Sequence, residues 1–343
     1  MNQKTAAPPV SMQEELFRLI VCPVCAQPLT MQPTRQDNGI VAEGRLSCSC
    51  GRAYPIRGGI PRLLPDYSAP QSKEDHIKLW TQKQFGFQWT AFHEISCDFW
   101  DNFFISLGPI SPEFFKGKIG LDAGCGFGRH LIQAARCGAR MVGLDYSRAI
   151  ESSAKNTKDF PGIALVQGDL ERAPFHPGSF DFAYSIGVLH HLPDPFVGFS
   201  SVVRQVRPGG SVFAWCYSDQ RRWSILLLSI VRFFTTRLPR PILRGVSILF
   251  GVLEWILLLT PFRWLPKSRL KAFIARHFPR LAVYAPYPLQ VVCADWFDRL
   301  AAPVRHYLSA RQLEEWGRRA GLRNIQITPT GVYGWTLYAE KPI

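Results

Sequence analysis

The sequence predicts an α/β protein built on a doubly wound, seven-stranded Rossmann-like sheet, with a small cysteine-bearing unit in front and a helical insertion before the last core helix. Three observations predict it. Over residues 118–217 short β-rich runs alternate with helical stretches, the signature of a parallel sheet covered on both faces. A glycine loop, GLDAGCGFGRH, turns the first of these strands into a helix. After an apolar stretch that fits no βα unit, one more helix and two closing strands complete the pattern. At 343 residues the chain is long enough for two or three domains, and 47% hydrophobic against 19% charged residues excludes intrinsic disorder.

In chain order, residues 1–10 read as a disordered polar tail, 11–66 as the cysteine unit and 67–75 as a polar, proline-containing linker. Residues 76–115, rich in Trp and Phe, read as an N-terminal helical lid. The core occupies 116–218 and 304–343. Its strands IGLD, ARMVGLD, IALVQ, FDFAYS and SVFAWCY are joined by helices over 129–137, 147–157 and 196–206. Ser309 caps a helix through 320, and 323–329 with 332–340 form the closing strands around a Gly331 turn. Residues 219–303 are the insertion. Nine cysteines, an odd number, and the lack of a basic, then apolar, then small-residue signal favour a reducing cytoplasm. No uninterrupted apolar run reaches the roughly 20 residues of a spanning helix, so none is expected.

The glycine loop carries the strongest signal. Asp122 ends its strand, and Gly124, Gly126 and Gly128 let the backbone approach a ligand in conformations that a side chain forbids. A dinucleotide loop would need a third glycine at Arg129, which demotes nicotinamide and flavin. Asp145 closes the second strand about twenty residues on, where a carboxylate can accept bonds from ribose hydroxyls, and Asp169 follows the third. Each aspartate alone is as readily a helix or turn cap. In register with the loop, they mark the carboxyl-end rim where open α/β sheets bind ligands.

Together these motifs resemble the class I S-adenosylmethionine-dependent methyltransferases, strongly over 118–217 and more loosely at the C-terminus. The resemblance implies S-adenosylmethionine as cofactor, with Asp122, Gly124, Cys125 and Gly126 around its methionine portion. It implies Asp145 and Tyr146 at the ribose and adenine, Asp169 and Leu170 at the adenine edge, and Ser185 beside the cofactor at the end of the fourth strand. VRPGG (206–210) would make the turn before the fifth strand. Methyl transfer needs an acceptor held in line and, for a hydroxyl, deprotonated. His190, His191 and His306 are the candidate bases, although a turn or capping role explains each as simply.

Cys22-Pro-Val-Cys25 and Cys48-Ser-Cys50 offer four thiolates in two clusters, enough to close a tetrahedral structural zinc (Zn2+) site. The C-x-C pair is tighter than the usual C-x-x-C, which leaves open that one thiol stays out, or that the module is metal-free. The unit is similar to the small zinc-ribbon segments ahead of some bacterial methyltransferases. A zinc ribbon also resembles the front of ribosomal RNA guanine methyltransferases, so RNA base methylation is the rival reading; Ser185 to Val188 reads SIGV, not the Asn-Pro-Pro-Tyr type used on exocyclic amines.

The net charge of +14 is local: between Arg221 and Arg280 twelve Lys or Arg face Glu254 alone, a net +11. The same stretch holds the most apolar runs, 225–231 and 246–259. On a helix, Arg244, Ser247, Gly251 and Glu254 form a narrow polar stripe beside a wide apolar face, and Trp223, Trp255 and Trp264 suit a bilayer interface. Basic residues there add about 1 kcal/mol each near anionic lipid. Nucleic-acid surfaces need fewer aliphatic and more stacking side chains, so RNA is the weaker partner. The expectation is O- or C-methylation of a small, amphiphilic or lipid-linked acceptor, similar in logic to quinone biosynthesis, by a cytoplasmic protein peripheral to the inner face of the membrane. A buried cap over the active site is the bland alternative, and a non-catalytic S-adenosylmethionine-binding protein the third functional reading.

Overall fold

The computed structural model describes residues 11–37, 39–64, 72–95, 97–331 and 333–343. The expected tail at 1–10, most of the expected linker and Val332 lie outside them. The front unit opens with α1 (Met12–Leu19), held by a capping box between Ser11 and Glu14, and continues as an antiparallel meander of β1 (Leu29–Asp37), β2 (Ile40–Cys48), β3 (Ala53–Arg57) and β4 (Ile60–Leu63). Two helices follow, α2 (Lys73–Ala91) and α3 (Trp100–Leu107).

The βα alternation then runs β5 (Ile119–Ala123), α4 (Arg129–Arg136), β6 (Arg140–Asp145), α5 (Ala149–Thr157), β7 (Ile163–Gly168), β8 (Phe180–Ile186), α6 (Pro195–Gln205) and β9 (Val206–Tyr217). The inner strands are buried on both faces, as apolar runs such as FDFAYS require in a sheet covered twice. The insertion supplies α7 (Arg222–Thr235), α8 (Arg240–Glu254), a π turn (Trp255–Leu259), α9 (Thr260–Trp264), α10 (Arg269–His277), α11 (Pro279–Tyr284) and α12 (Leu289–Ala301). The chain closes through α13 (Ala310–Arg319), β10 (Arg323–Thr330) and β11 (Gly334–Glu340). VRPGG is not a free turn before β9: Gly209 N donates to Lys341 O and Lys341 N to Gly210 O, so backbone pairing starts there.

Seven strands in the order β7-β6-β5-β8-β9-β11-β10 make the core, all running one way except β11, which is antiparallel to both its neighbours. Order reverses between β5 and β8, the switch point where a cleft opens at the carboxyl ends. The cysteine unit is not a bead on a linker. β4 pairs in parallel with β7, Arg62 opposite Gln167 and Leu63 opposite Gly168, so the meander extends the sheet to eleven strands among the described residues. Leu16, Leu46, Ile56 and Leu63 share one apolar cluster with Leu144, Val166 and Phe175. An otherwise open edge of the core is thereby paired.

In the insertion, the polar stripe of α8 faces inward and the apolar face outward. Ser247 is fully buried, its hydroxyl bonding Leu243 O at 2.7 Å. A Cβ on Gly251 would lie 2.6 Å from Cys293 Sγ, so glycine lets α8 press against α12. Glu254 is buried and bonded to Arg280 (2.5 and 2.7 Å) and Trp296 (2.7 Å). Arg244 alone of the stripe stays exposed. Leu249, Phe250, Leu253, Ile256, Leu257 and Leu258 face out. The expectation of no spanning-length helix is corrected: Arg240–Trp264 is one 25-residue rod, long and apolar enough to cross a membrane by length and composition, with only 28% of its most apolar stretch buried. Glu254, which broke the apolar run in the sequence, is neutralised by Arg280, and Pro261 enters just after the π turn, where Thr260 Oγ1 satisfies Trp255 O.

Candidate active site

β5 delivers Ala123 to the rim, and the loop turns through Gly124 (φ +94°) and Gly128 (φ +88°). Both need glycine: a Cβ would lie 2.4 Å from Val188 Cγ2 at Gly124 and 2.7 Å from Ser153 Oγ at Gly128. The amides of Gly124 and Cys125 donate to Leu144 O, which ties the loop to β6. Asp145, at the end of β6, accepts from Gly126 N (2.8 Å) and from Ser147 N and Oγ (2.8 and 2.7 Å). Burial pushes its carboxyl up, and these bonds oppose the shift. They use three of the carboxylate's roughly four acceptor sites and fix its plane.

A cavity of about 1140 Å³ lies over this rim. Single-ligand pockets hold about 300–1,000 Å³, so there is room for a donor and an acceptor together. Gly124, Cys125, Gly126, Asp145, Tyr146, Asp169 and Leu170 line one half. Lys78, from α2, bonds Asp169 (3.2 Å) and Glu171, and Gln82 Nε2 donates to Tyr146 O (2.9 Å), so α2 closes over this half. Asp122 and Ser185 stand behind the wall instead of on it. Ser185 Oγ bonds Ala123 O at 2.8 Å, and burial raises the Asp122 carboxyl well above the usual carboxylate range, with Tyr184 opposing. The insertion and β9 build the other half, with Trp215, Tyr217, Tyr284 and Tyr287 among its walls.

Of the three histidines, the fold brings only His191 to the cavity. Its Nδ1 lies 2.8 Å from Val304 O and its Nε2 3.8 Å from Asp298 Oδ1; burial pushes its pKa down to about 4, with Asp298 opposing. His190 is fully buried beneath it, with neither ring nitrogen bonded among the described residues. His306 Nε2 bonds Leu192 O at 3.1 Å, away from the cavity.

Two wall residues escaped sequence reasoning. Arg129 extends among the rings of Trp89, Phe99 and Phe127, 5.1–5.8 Å from their centroids, with no carboxylate in ion-pair distance among the described residues. Its position directly after Gly128 was the available signal. Asp298 lies in the motif-free insertion and left none.

The four cysteine sulfurs lie within 4.8 Å of one another, Cys22 to Cys50 at 3.8 Å and Cys25 to Cys48 at 3.4 Å. A tetrahedron with bonds of about 2.3 Å needs sulfur edges of about 3.8 Å, so the set fits a structural zinc, the C-x-C pair included. Tyr54 Oη, 3.3 Å from Cys22, supports the ligand from behind. On the rim, the glycine cradle, the fixed Asp145 and a cavity large enough for two ligands fit S-adenosylmethionine.

Comparison with known proteins gives the same two parts. Residues 121–214 match the family described as methyltransferase domain, and residues 13–59 the family described as Trm112p-like protein. A ubiquinone biosynthesis O-methyltransferase of Sodalis glossinidius is 37% identical over 100 residues, 28% of this chain and 40% of that protein. An uncharacterized chloroplastic methyltransferase of Arabidopsis thaliana is 27% identical over 249 residues, 65% of this chain and 68% of that protein. Cycloartenol-C-24-methyltransferase 1 of Oryza sativa is 30% identical over 106 residues, 29% of this chain and 31% of that protein. The chain thus spans less than half the length of the first and third of these relatives. Sequence, sheet order and rim agree that this chain carries a methyltransferase domain with a Trm112p-like unit in front of it.

Proposed function

We propose that the protein transfers a methyl group from S-adenosylmethionine to the oxygen or carbon of a small amphiphilic or lipid-linked acceptor, working at an anionic membrane surface. One observation carries the reading: a single cavity joins the glycine-loop rim to an aromatic-walled half built by the insertion. Asp145 and the amides around it hold the ribose end, and Asp169 and Leu170, closed over by Lys78, border the adenine end. S-adenosylmethionine supplies a methyl group already activated as a sulfonium. The chain's own work is to exclude water, align the acceptor and, for a hydroxyl, take its proton, for which His191 is the cavity-facing base. The relatives from rice and Sodalis, by their names, methylate a carbon of cycloartenol and an oxygen in ubiquinone biosynthesis, which favours an apolar acceptor class.

The surface supports the membrane part. Trp223 and Trp264 are 81% and 83% exposed, and Leu227, Phe233, Phe234 and Leu257 stand out beside them. This apolar ground is studded with cations, the composition of an interfacial helix set, where RNA would require stacking aromatics among polar residues. The test is direct. Asp145→Ala is expected to abolish S-adenosylmethionine binding by calorimetry, and the parent protein to move labelled methyl into a lipid extract and not into an RNA fraction. Undiminished binding by the variant, or transfer confined to RNA, overturns the reading.

A further inference from the structure

The insertion does more than wall the cavity: it places a carboxylate against His191, the one of the three candidate bases that reaches it. Asp298, on α12, has its two oxygens committed differently. Oδ2 accepts from Tyr217 Oη (2.7 Å) and from Arg305 Nη2 (2.7 Å). Oδ1 has no closer partner than His191 Nε2 at 3.8 Å among the described residues. The Val304 carbonyl can only accept, so His191 Nδ1 carries the hydrogen and Nε2 is the basic nitrogen of the neutral ring. Asp298, Tyr217 and His191 all border the cavity.

We propose that Asp298 compensates the charge on His191, stabilising the imidazolium formed when Nε2 takes the acceptor's proton. This rests on the proposed methyl transfer. The acceptor O–H bond breaks and its proton goes to Nε2; the oxygen keeps the electron pair and bonds the methyl carbon, whose former bonding pair stays on sulfur. The new N–H points back at the acceptor oxygen, and the Asp298 charge beside Nε2, kept in place by the two bonds at Oδ2, compensates the cation. Other groups around the ring act against the cation. Arg305 and Arg232 are positive, and His190 lies against it at 4.3 Å between ring centroids. Tyr217 (5.9 Å) and Phe85 (4.8 Å) supply ring contacts only. Without Asp298, a histidine already disfavoured as a cation by burial would have no compensating charge. The insertion then completes the base as well as covering the acceptor.

The full chain, saturated with S-adenosylhomocysteine and labelled at histidine Cε1, reads the pair directly. The His191 resonance is identified by its loss in His191→Gln. Between pH 7 and 5 the parent resonance should begin to drift toward the protonated position. In Asp298→Asn it should stay put, because removing a carboxylate lowers the pKa, and in Arg232→Gln it should drift further, because removing a cation raises it. Identical drift in parent and Asp298→Asn, with the other histidine resonances intact, overturns the proposal. A second arm uses a prenylated catechol in anionic vesicles as probe. Asp298→Asn should lower kcat by about 10²-fold or more, leave KM for S-adenosylmethionine within twofold and move the acid limb of kcat to lower pH. Lower kcat with an unmoved limb means a structural role only and also overturns it. If the parent methylates no probe and no lipid, the methyl-transfer reading fails, while the resonance arm still decides the pair.

Discussion

At the scale of single residues, the rim separates groups that border the cavity from groups that hold the rim. Asp145, Tyr146, Asp169 and Leu170 border the cavity, whereas Asp122 and Ser185, chosen by the same resemblance, brace β5 from behind. Motif position cannot tell these apart, because a strand end presents alternate side chains to opposite faces and only packing decides which face is wet. Arg129 shows the converse. In the sequence it only breaks a dinucleotide motif, yet it is a cavity cation, set among aromatic rings, with no carboxylate in ion-pair distance among the described residues. Burial lowers its pKa, with the surrounding tyrosines and Asp122 opposing, and a buried guanidinium gains most from an anionic ligand group. Arg129→Gln is therefore expected to weaken S-adenosylhomocysteine, which carries a carboxylate, by about tenfold or more. It should leave methylthioadenosine, which carries none, nearly unchanged. Calorimetric titration of both ligands against parent and variant checks this, and equal losses would assign Arg129 to packing.

Among the elements, α8 departs furthest from the expected arrangement. A narrow polar stripe beside a wide apolar face ordinarily turns the apolar face inward. Here Glu254 finds Arg280 and Trp296, Gly251 admits α12, and Ser247 bonds its own helix, so the stripe is the side that packs. Sequence periodicity gave the two faces correctly. Which one faced the protein depended on partners from α11 and α12, 26 to 42 positions away. Two substitutions separate the roles. Gly251→Leu drives a side chain into Cys293 and should cost about 1–3 kcal/mol in stability, read by denaturant unfolding. Leu257→Asp, on the exposed face, should leave stability within about 0.5 kcal/mol and weaken binding to anionic vesicles, read by co-sedimentation. A Leu257→Asp protein that binds vesicles as the parent does would remove the Arg240–Trp264 rod from the membrane surface.

Across the whole molecule, the cysteine unit and the core are one sheet. β4 seals the β7 edge, and the apolar cluster passes from Leu46 and Leu63 into Val166 without a break. Stripping zinc from the full chain with a chelator should therefore lower the core's melting temperature by about 5 °C or more, not merely loosen the front. Calorimetric scans alongside zinc stoichiometry check this, and an unchanged core transition would mean that the front unit folds and unfolds alone. The sequence by itself determined the seven core strands, the glycine loop with its aspartates, the four thiols and the concentration of positive charge in an apolar insertion. These are local in character: periodicity, turn chemistry and ligand spacing are written within a few residues of one another. Tertiary structure alone decided that His191 and not its neighbours reaches the cavity, that Asp298 meets it, that α8 turns its apolar face outward and that β4 joins the core sheet. Each of those depends on which distant side chains supply a charge, a space or an edge, and no pattern within a single segment records its partner.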